Sequence, residues 1–288
     1  MRAGTAAVIA SAAVAAACAT VPLRLPEGPA RPAPGQMAGI AFEQATASCR
    51  TLRTFTAEVG LSGHFGAERL RGRVIAGFDR ATTSVRLEAP APFGAPVFIL
   101  AARNDRATLL LPRNDQVVTD ASVADVIEAL TGLRRNTLDL LALLAGCVVS
   151  DLQPDIARAK QFESGWLSVP LAGGAEVFLR EERQRWRVGF GLVADDPAAP
   201  VNAPWLVSYD QFQAVFPAVV RLTRPARADR AGDTASDVKF AISQVESNVP
   251  IDAAAFSLQV PGKAVRISID ELRQLGPLAD RSTESRTR

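Results

Sequence analysis

Residues 54–78 read TFTAEVGLSGHFGAERLRGRVIAGF, and their alternation of apolar and polar side chains predicts a β-hairpin. Over residues 55–65 every second residue is apolar or glycine, with threonine, glutamate, serine and histidine among the residues between. Residues 66–69 are typical of a turn, and apolar residues or glycine alternate again over residues 70–78. Each predicted strand therefore has one apolar face, which is typical of an antiparallel sheet covered on one side.

The same period of two recurs along the rest of the chain. It predicts further strands around Val85 and Leu87, at 97–102, 107–111, 177–179 and 186–192, near 205–212, 217–224 and 237–246, and a short edge strand at 256–260. Because short turns join the first of these strands, the pattern indicates an antiparallel meander.

The apolar residues of four segments have helical spacing instead. These segments are 37–50, 123–130, 137–145 and 268–276. Ser122 is a predicted cap at the start of the second helix, and Gly132 is its predicted stop. The third helix is unusual because its leucines leave little polar face. Such a helix must be covered on both sides, by protein or by a ligand.

Composition excludes several classes of protein. The chain has 288 residues, of which 48% are hydrophobic and 22% charged, so it is too apolar to be disordered. Its 3 cysteines are too few for a scaffold held together by many disulfides. The net charge of +2 implies no general basic surface, so we expect no nucleic-acid partner.

Residues for acid–base catalysis are scarce, because the chain has one histidine and one tyrosine. His64 shares strand parity with polar residues, so we expect it to face solvent. Glu181-Glu182 and Asp195-Asp196 fall at predicted turns, where solvated charge is the ordinary interpretation. The sequence has no zinc, phosphate-loop, nucleophile-elbow or dinucleotide motif. It therefore predicts neither an enzyme nor a metal or cofactor site.

The N-terminus resembles a bacterial lipoprotein signal. Residues 1–17 read MRAGTAAVIASAAVAAA, with one arginine, a short apolar run and small residues before Cys18. In such signals the cysteine becomes the lipidated first residue of the mature chain. An ordinary cleaved signal and an uncleaved anchor are the alternatives. The predicted organisation is a signal peptide over 1–17, a lipidated Cys18 with a proline-rich linker over 18–36, a globular domain over 37–278 and a disordered tail over 279–288.

Cys49 and Cys147 remain once Cys18 is lipidated. An exported protein meets oxidising conditions, and an even pair of cysteines there favours a disulfide. The bond would tie the first helix to the end of the leucine-rich helix and close a loop of about 100 residues, worth roughly 2–5 kcal/mol. Two buried thiols are the alternative.

Residues 89–96 read APAPFGAP and join two predicted strands. Pro90 and Pro92 stiffen this connection, and Gly94 permits a tight turn, so Phe93 lies at a rigid tip. A phenylalanine at this tip is either buried in the core or exposed as a probe for membranes and acyl chains.

The order of these segments resembles a known family, the LolA/LolB-like periplasmic lipoprotein carriers, and most of all the outer-membrane receptor LolB. The resemblance covers about residues 52–146, while 166–224 matches in pattern only. It is carried by strand residues Val85–Ala89, the turn Pro92-Phe93-Gly94, the strands 97–102 and 107–111, the helix end at 129–132 and the helix 138–146.

This resemblance implies a mainly β, α+β fold. The fold would be an incomplete antiparallel β-barrel whose concave face is covered by helices, with an apolar cavity for acyl chains. Phe93 stands where the family has a protruding leucine that promotes delivery of lipoproteins into the membrane, so residues Pro92, Phe93 and Gly94 are expected to form a membrane-insertion loop. The Cys49/Cys147 pair and the added segment 251–278 depart from the family, and that segment would either extend the sheet or cover the cavity.

Acyl chains of lipoproteins or lipids are the expected ligand, since burial gives about 0.8 kcal/mol per CH₂ and on the order of 10 kcal/mol for one chain. The expected cavity lining is Phe55, Val59, Leu61, Val74, Val85, Leu87, Ile99, Leu140, Leu141 and Leu144. We expect a protein of the cell envelope that is held by its N-terminal lipid at the outer membrane, faces the periplasm and takes part in lipoprotein or lipid transfer there. The neutral Ala19 after the cysteine agrees with outer-membrane sorting. A periplasmic carrier protein is a candidate partner.

A structural envelope lipoprotein that binds a protein partner is the alternative function. It predicts a filled barrel and a buried Phe93. An exposed Phe93 beside an open cavity favours the carrier.

Overall fold

The computed structural model describes residues 24–194, 204–226, 234–276 and 278. The predicted signal peptide, Cys18, Ala19, Asp195-Asp196 and the tail over 279–288 lie outside these residues. Among the described residues, no helix has the length and apolar character needed to cross a membrane.

The described residues form four α-helices, and the predicted helices are confirmed. They are α1 Gly35–Thr51, α2 Val123–Thr131, α3 Thr137–Ala145 and α4 Ile269–Leu275. The last three begin at the side-chain caps Ser122, Asn136 and Ser268. Each of these three helices ends at a glycine in the left-handed conformation, which a residue with a side chain adopts less readily.

A single sheet holds all the strands of the described residues. They are β1 Ala30–Pro32, β2 Thr54–Phe65, β3 Glu68–Asp79, β4 Ser84–Ala89, β5 Phe98–Arg103, β6 Arg106–Leu111, β7 Gln116–Ser122, β8 Lys160–Phe162, β9 Leu167–Pro170, β10 Glu176–Glu182, β11 Arg185–Val193, β12 Trp205–Gln213, β13 Phe216–Arg224, β14 Ser236–Ser247 and β15 Val265–Arg266. Their order is β1-β8-β9-β10-β11-β12-β13-β14-β2-β3-β4-β5-β6-β7-β15. The sheet is antiparallel except for the parallel pair of β15 and β7, and it stays open between β1 and β15.

The helices lie on the concave face of this sheet. Helix α1 packs against β9, β10 and β11, α2 against β6 and β7, and α3 against β13. Every residue from Leu140 to Ala145 of α3 is buried, so protein covers both sides of the leucine-rich helix. The predicted fold class, a mainly β, incomplete antiparallel barrel with helices on its concave face, is confirmed.

The predicted β2–β3 hairpin is confirmed in register, from the pair Thr54 and Asp79 to the pair Phe65 and Glu68. Its turn is shorter than predicted, because the second strand already begins at Glu68. The edge strand predicted at 256–260 is wrong. Residues Ala253–Phe256 instead form a short 3-10 helix, since the Asp252 side chain accepts a hydrogen bond from the Ala254 amide and Phe256 is buried.

The C-terminal segment, residues 251–278, both extends the sheet and reaches its concave side. Its 3-10 helix packs on the outer face of β4 and β5, where the Arg86 guanidinium donates to the Ala255 carbonyl at 3.1 Å. Strand β15 then pairs with β7 at the sheet edge, and α4 packs against α2. The chain thereby passes around the edge and brings Leu278 to the concave side.

Candidate functional site

An apolar pocket lies between helices α2 and α3 and the concave face of the sheet. Its volume is about 60 Å³, room for a few water-sized groups at about 10–15 Å³ each. The lining residues are Val59, Leu61, Val74, Ala76, Leu87, Phe98, Ile127, Leu130, Thr131, Leu133, Leu140, Leu144, Phe240 and Leu278. Thr131 has the one polar side chain in this set, and its hydroxyl donates to the Ile127 carbonyl at 2.7 Å. The lining therefore presents hydrocarbon and no free hydrogen-bonding side chain.

Strand geometry brings the sheet residues of the pocket together. Alternate residues of a strand point to one face, so Val59 and Leu61 of β2 share the concave side with Val74 of β3, which is the partner of Val59. Gly72 is the partner of Leu61. A Cβ at Gly72 would lie 3.1 Å from the Leu278 Cδ2 atom, so the missing side chain leaves room for Leu278.

Six of the ten predicted cavity residues line this pocket: Val59, Leu61, Val74, Leu87, Leu140 and Leu144. Phe55 and Val85 are buried elsewhere in the core, and Phe55 packs against Phe78 and Phe216 with ring centroids 6.4 and 5.5 Å apart. Leu141 lies instead beside the two cysteines.

Ile99 is not in the pocket, and its predicted place there requires correction. Its neighbours Phe98 and Leu100 are buried, whereas Ile99 is half-buried on the opposite face of β5. Phe98 lines the pocket in its place. The run VFILAA is apolar at every position, so periodicity alone does not tell which residues face inward.

Leu278 closes one side of the pocket. Its side chain is 5% exposed, and its carbonyl accepts a hydrogen bond from the Arg71 amide at 3.3 Å. Helix α4 precedes it and is anchored by a Ser268–Glu271 capping box and by the fully buried Leu272. Sequence reasoning did not include Leu278, because its position depends on long-range pairing of β15 with β7.

Phe93 is 91% exposed at the tip of the β4–β5 connection. Arg113 braces this connection by donating to the Phe93 carbonyl at 3.2 Å and to the Ala95 carbonyl at 3.1 Å. Gly94 has a φ of 78°, a left-handed conformation that glycine adopts without strain. The loop therefore holds Phe93 in solvent on a pre-formed support.

The structure joins Cys49 and Cys147 in a disulfide with Cα atoms 5.9 Å apart. The bond connects α1 to the residue that follows Gly146 at the end of α3. The next residue, Val148, donates its amide to the buried Tyr209 hydroxyl at 2.9 Å. Burial raises the pKa of Tyr209 above its ordinary value, so this phenol stays neutral and serves as a structural hydrogen-bond partner.

The other polar candidates do not converge on the pocket. His64 lies on the polar face of β2, paired with Arg69 and Asp237 of the neighbouring strands. Glu181 and Glu182 end β10, and Glu182 forms ion pairs with Arg180 and Arg187. Across the described ranges, no cluster of histidine, cysteine, aspartate and glutamate is arranged to hold a metal ion.

A scan against models of protein families found no match, and a search of curated proteins found none either. Solved structures of similar fold include a DUF1329 family protein from Desulfovibrio piger, with 12% identity over 77% of this chain and 95% of that one, at a TM-score of 0.46. A LolA superfamily protein from Nitrosomonas europaea is 11% identical over 78% and 98% of the two chains, also at 0.46. The Mycobacterium tuberculosis lipoprotein LppX is 11% identical over 75% and 98%, at 0.33.

Proposed function

We propose that this chain binds acyl chains in the apolar pocket and takes part in lipid or lipoprotein transfer at the outer membrane. The observation that carries the proposal is a pocket lined by hydrocarbon and bounded on one side by Leu278 of the C-terminal segment. A pocket without free polar groups does not hold ordered water well, so a flexible apolar ligand is the chemistry it favours.

The pocket must open before an acyl chain enters. A volume of about 60 Å³ holds only a few carbon atoms of a lipid tail. One boundary is suited to move: Leu278, which follows the seven-residue helix α4 and whose carbonyl accepts a hydrogen bond from the Arg71 amide. Each CH₂ that enters then contributes about 0.8 kcal/mol, which offsets the loss of the Leu278 contacts.

In this proposal, two parts of the chain contact the membrane. The lipid on Cys18 tethers the protein through the proline-rich linker, and Phe93 with Pro92 and Gly94 enters the bilayer surface. The exposure of Phe93 supports the second contact, because a large aromatic ring held in solvent gains about 1.5–3 kcal/mol when it is buried.

Replacing Phe93 by alanine tests whether its ring enters the bilayer surface. We expect vesicle binding of the mature chain, residues 18–288 with Cys18→Ser, to weaken roughly ten- to hundredfold, measured by co-sedimentation, because the buried ring is lost. Ile40→Ala is the matched control, since Ile40 is 48% exposed on α1. Equal losses of vesicle affinity in the two variants would show that Phe93 does not contact the membrane.

A variant that fills the pocket tests acyl binding. Val74 is half-buried in the lining, and Val74→Phe adds a ring to a space of about 60 Å³. We expect the affinity for a fluorescent fatty acid to fall roughly tenfold, because the bulkier side chain occupies the ligand's place. Val219→Phe, at a half-buried valine of β13 outside the pocket, should bind as the unaltered protein does. Equal affinity of both variants for the fatty acid would show that the ligand binds outside this pocket.

A structural lipoprotein that binds a protein partner is the second candidate function. The small volume of the pocket favours it, because the barrel is largely filled by side chains. It predicts that no fatty acid enters the unaltered protein, whereas the carrier predicts saturable uptake.

A further inference from the structure

A group of cations lies on the outer face of the sheet, at the end where β2 and β3 meet in their turn. Arg69, Arg71 and Arg73 occupy alternate positions of β3, and all three are exposed. Their positions alternate with Leu70 and Gly72, which face the concave side together with Leu278. The arginines therefore stand on the opposite side of the strand from the pocket.

Strand register extends this group across the sheet. Arg71 pairs with Ser62 of β2, Ser62 pairs with Lys239 of β14, and Lys239 pairs with Arg221 of β13. Neighbouring positions of this kind lie about 4.5–5.5 Å apart at Cβ, so the cations form a row with a small serine in its middle. Like charges so placed repel one another, and an anion between them would relieve that repulsion.

Two of the cations are already neutralised and three are not. Arg221 donates two hydrogen bonds to Asp237, and Arg73 lies 3.5 Å from Glu58. Arg69, Arg71 and Lys239 have no ion pair within the part of the chain that the structure describes. We call these three residues the basic face. A shallow depression lined by Ser62, Gly63, His64, Arg69 and Arg71 lies within this region.

The basic face lies at the same end of the sheet as Phe93 and the boundary of the pocket. Glu88 pairs with Ile75, so β4 ends level with Val74, and both the Phe93 loop and residues 68–73 of β3 lie beyond that level, at the same end of the sheet. On this same stretch the Arg71 amide holds the Leu278 carbonyl. Exposed cations, an exposed aromatic ring and the residue that bounds the pocket therefore all belong to one end of the sheet.

We propose that the basic face binds the phosphates of anionic phospholipids and so docks this end of the protein on an anionic membrane surface. Charge complementarity argues for this partner, since three unpaired cations lie at the same end of the sheet as an exposed aromatic side chain suited to the bilayer interface. Each cation attracts a headgroup phosphate while Phe93 enters beside them. The docked orientation turns Leu278 and the pocket toward the membrane that supplies or receives the acyl chain. The entry of Phe93 and the passage of an acyl chain rest on the proposed function, whereas the contacts between the cations and the phosphates do not.

Co-sedimentation with vesicles tests the proposal, with the mature chain over residues 18–288 carrying Cys18→Ser, so that neither the apolar signal segment nor a lipid anchor masks the contact. The unaltered surface should bind phosphatidylcholine vesicles that contain phosphatidylglycerol more tightly than vesicles of phosphatidylcholine alone. Salt should weaken the difference, because exposed charges are screened. The Arg69→Gln, Arg71→Gln, Lys239→Gln variant should lose on the order of 100-fold in affinity for the anionic vesicles.

The matched control removes the same charges elsewhere. Arg53, Arg103 and Lys160 are exposed at other places on the protein, so their triple glutamine variant should bind anionic vesicles as the parent chain does. Equal losses in both variants, indifference to phosphatidylglycerol, or binding to neither kind of vesicle would overturn the proposal. Fatty-acid uptake should be unchanged in an Arg69→Gln, Lys239→Gln variant, which leaves Arg71 and its hydrogen bond to Leu278 in place, so failure of acyl binding and failure of docking give separate signals. If the chain binds an acidic protein but does not bind anionic vesicles, the proposal is also overturned.

Discussion

Replacing both Cys49 and Cys147 by alanine is expected to lower the free energy of unfolding by about 2–5 kcal/mol. The disulfide joins residues separated by 98 positions, and such a cross-link removes much of the conformational freedom of the unfolded chain. It also ties α1 to the end of α3, the helix that supplies Leu140 and Leu144 to the pocket. Thermal or denaturant unfolding measures the change.

Reduction supplies the control for this prediction. The unaltered protein in a thiol reductant should unfold at the same lower temperature as the double alanine variant, and the variant should not respond to the reductant. Arg80 still donates to the carbonyl of residue 49 in the variant, so the local backbone contact is retained. An unaltered protein whose unfolding temperature is the same with and without reductant would contradict the prediction.

Ending the chain after Gly276 is expected to raise the affinity for a fluorescent fatty acid roughly ten- to hundredfold. The truncation removes Leu278, whose buried side chain an entering ligand otherwise has to displace. Burial of a leucine is worth about 1.5–3 kcal/mol, which sets the size of the effect. Helix α4 and its contact with α2 remain, because the truncation lies beyond Leu275.

A chain that ends after Leu278 is the matched control. It lacks residues 279–288 but keeps the leucine in the pocket, so its fatty-acid affinity should equal that of the full chain. Leu278→Ala in the full chain should behave like the shorter truncation, since it removes most of the same side chain. An affinity that is the same for both truncations would show that Leu278 does not close the pocket.

The parts of the fold that sequence predicts well have strong local signals. In β2 and β3 the alternation runs through both strands, so the hairpin and its inward face follow from period alone. Helices α2 and α3 combine apolar spacing with the caps Ser122 and Asn136 and the stops Gly132 and Gly146. Period and end signals agree there, which is why the bounds of those helices are predicted closely.

The wrong predictions fall where the local sequence pattern does not reveal the structure or indicates a different one. The inward face of β5 depends on its register with β4 and β6, and an all-apolar run does not reveal that register. The stretch FSLQV alternates like a strand, yet the Asp252 cap and the burial of Phe256 against the sheet produce a 3-10 helix that ends at its first residue, Phe256.

The sequence predicts part of the lining of the candidate site, again where the local pattern is strong. Residues Val59, Leu61 and Val74 follow from strand period, and Leu140 and Leu144 follow from the over-hydrophobic helix. The contributions of Phe240 and Leu278 depend on how β14 and the C-terminal segment pair across the sheet. Local periodicity does not predict contacts between residues so distant in sequence.

The proposed function depends on an acyl chain that occupies the pocket between α2, α3 and the sheet. Palmitate with a photoreactive diazirine near its methyl end, added to detergent-free full-length protein and irradiated, tests it most directly. Peptide mass spectrometry should then find adducts on pocket residues such as Phe98, Leu133 and Leu278, and these adducts should fall in the Val74→Phe variant. Adducts confined to exposed residues such as Phe93, or no saturable adduct at all, would contradict the account.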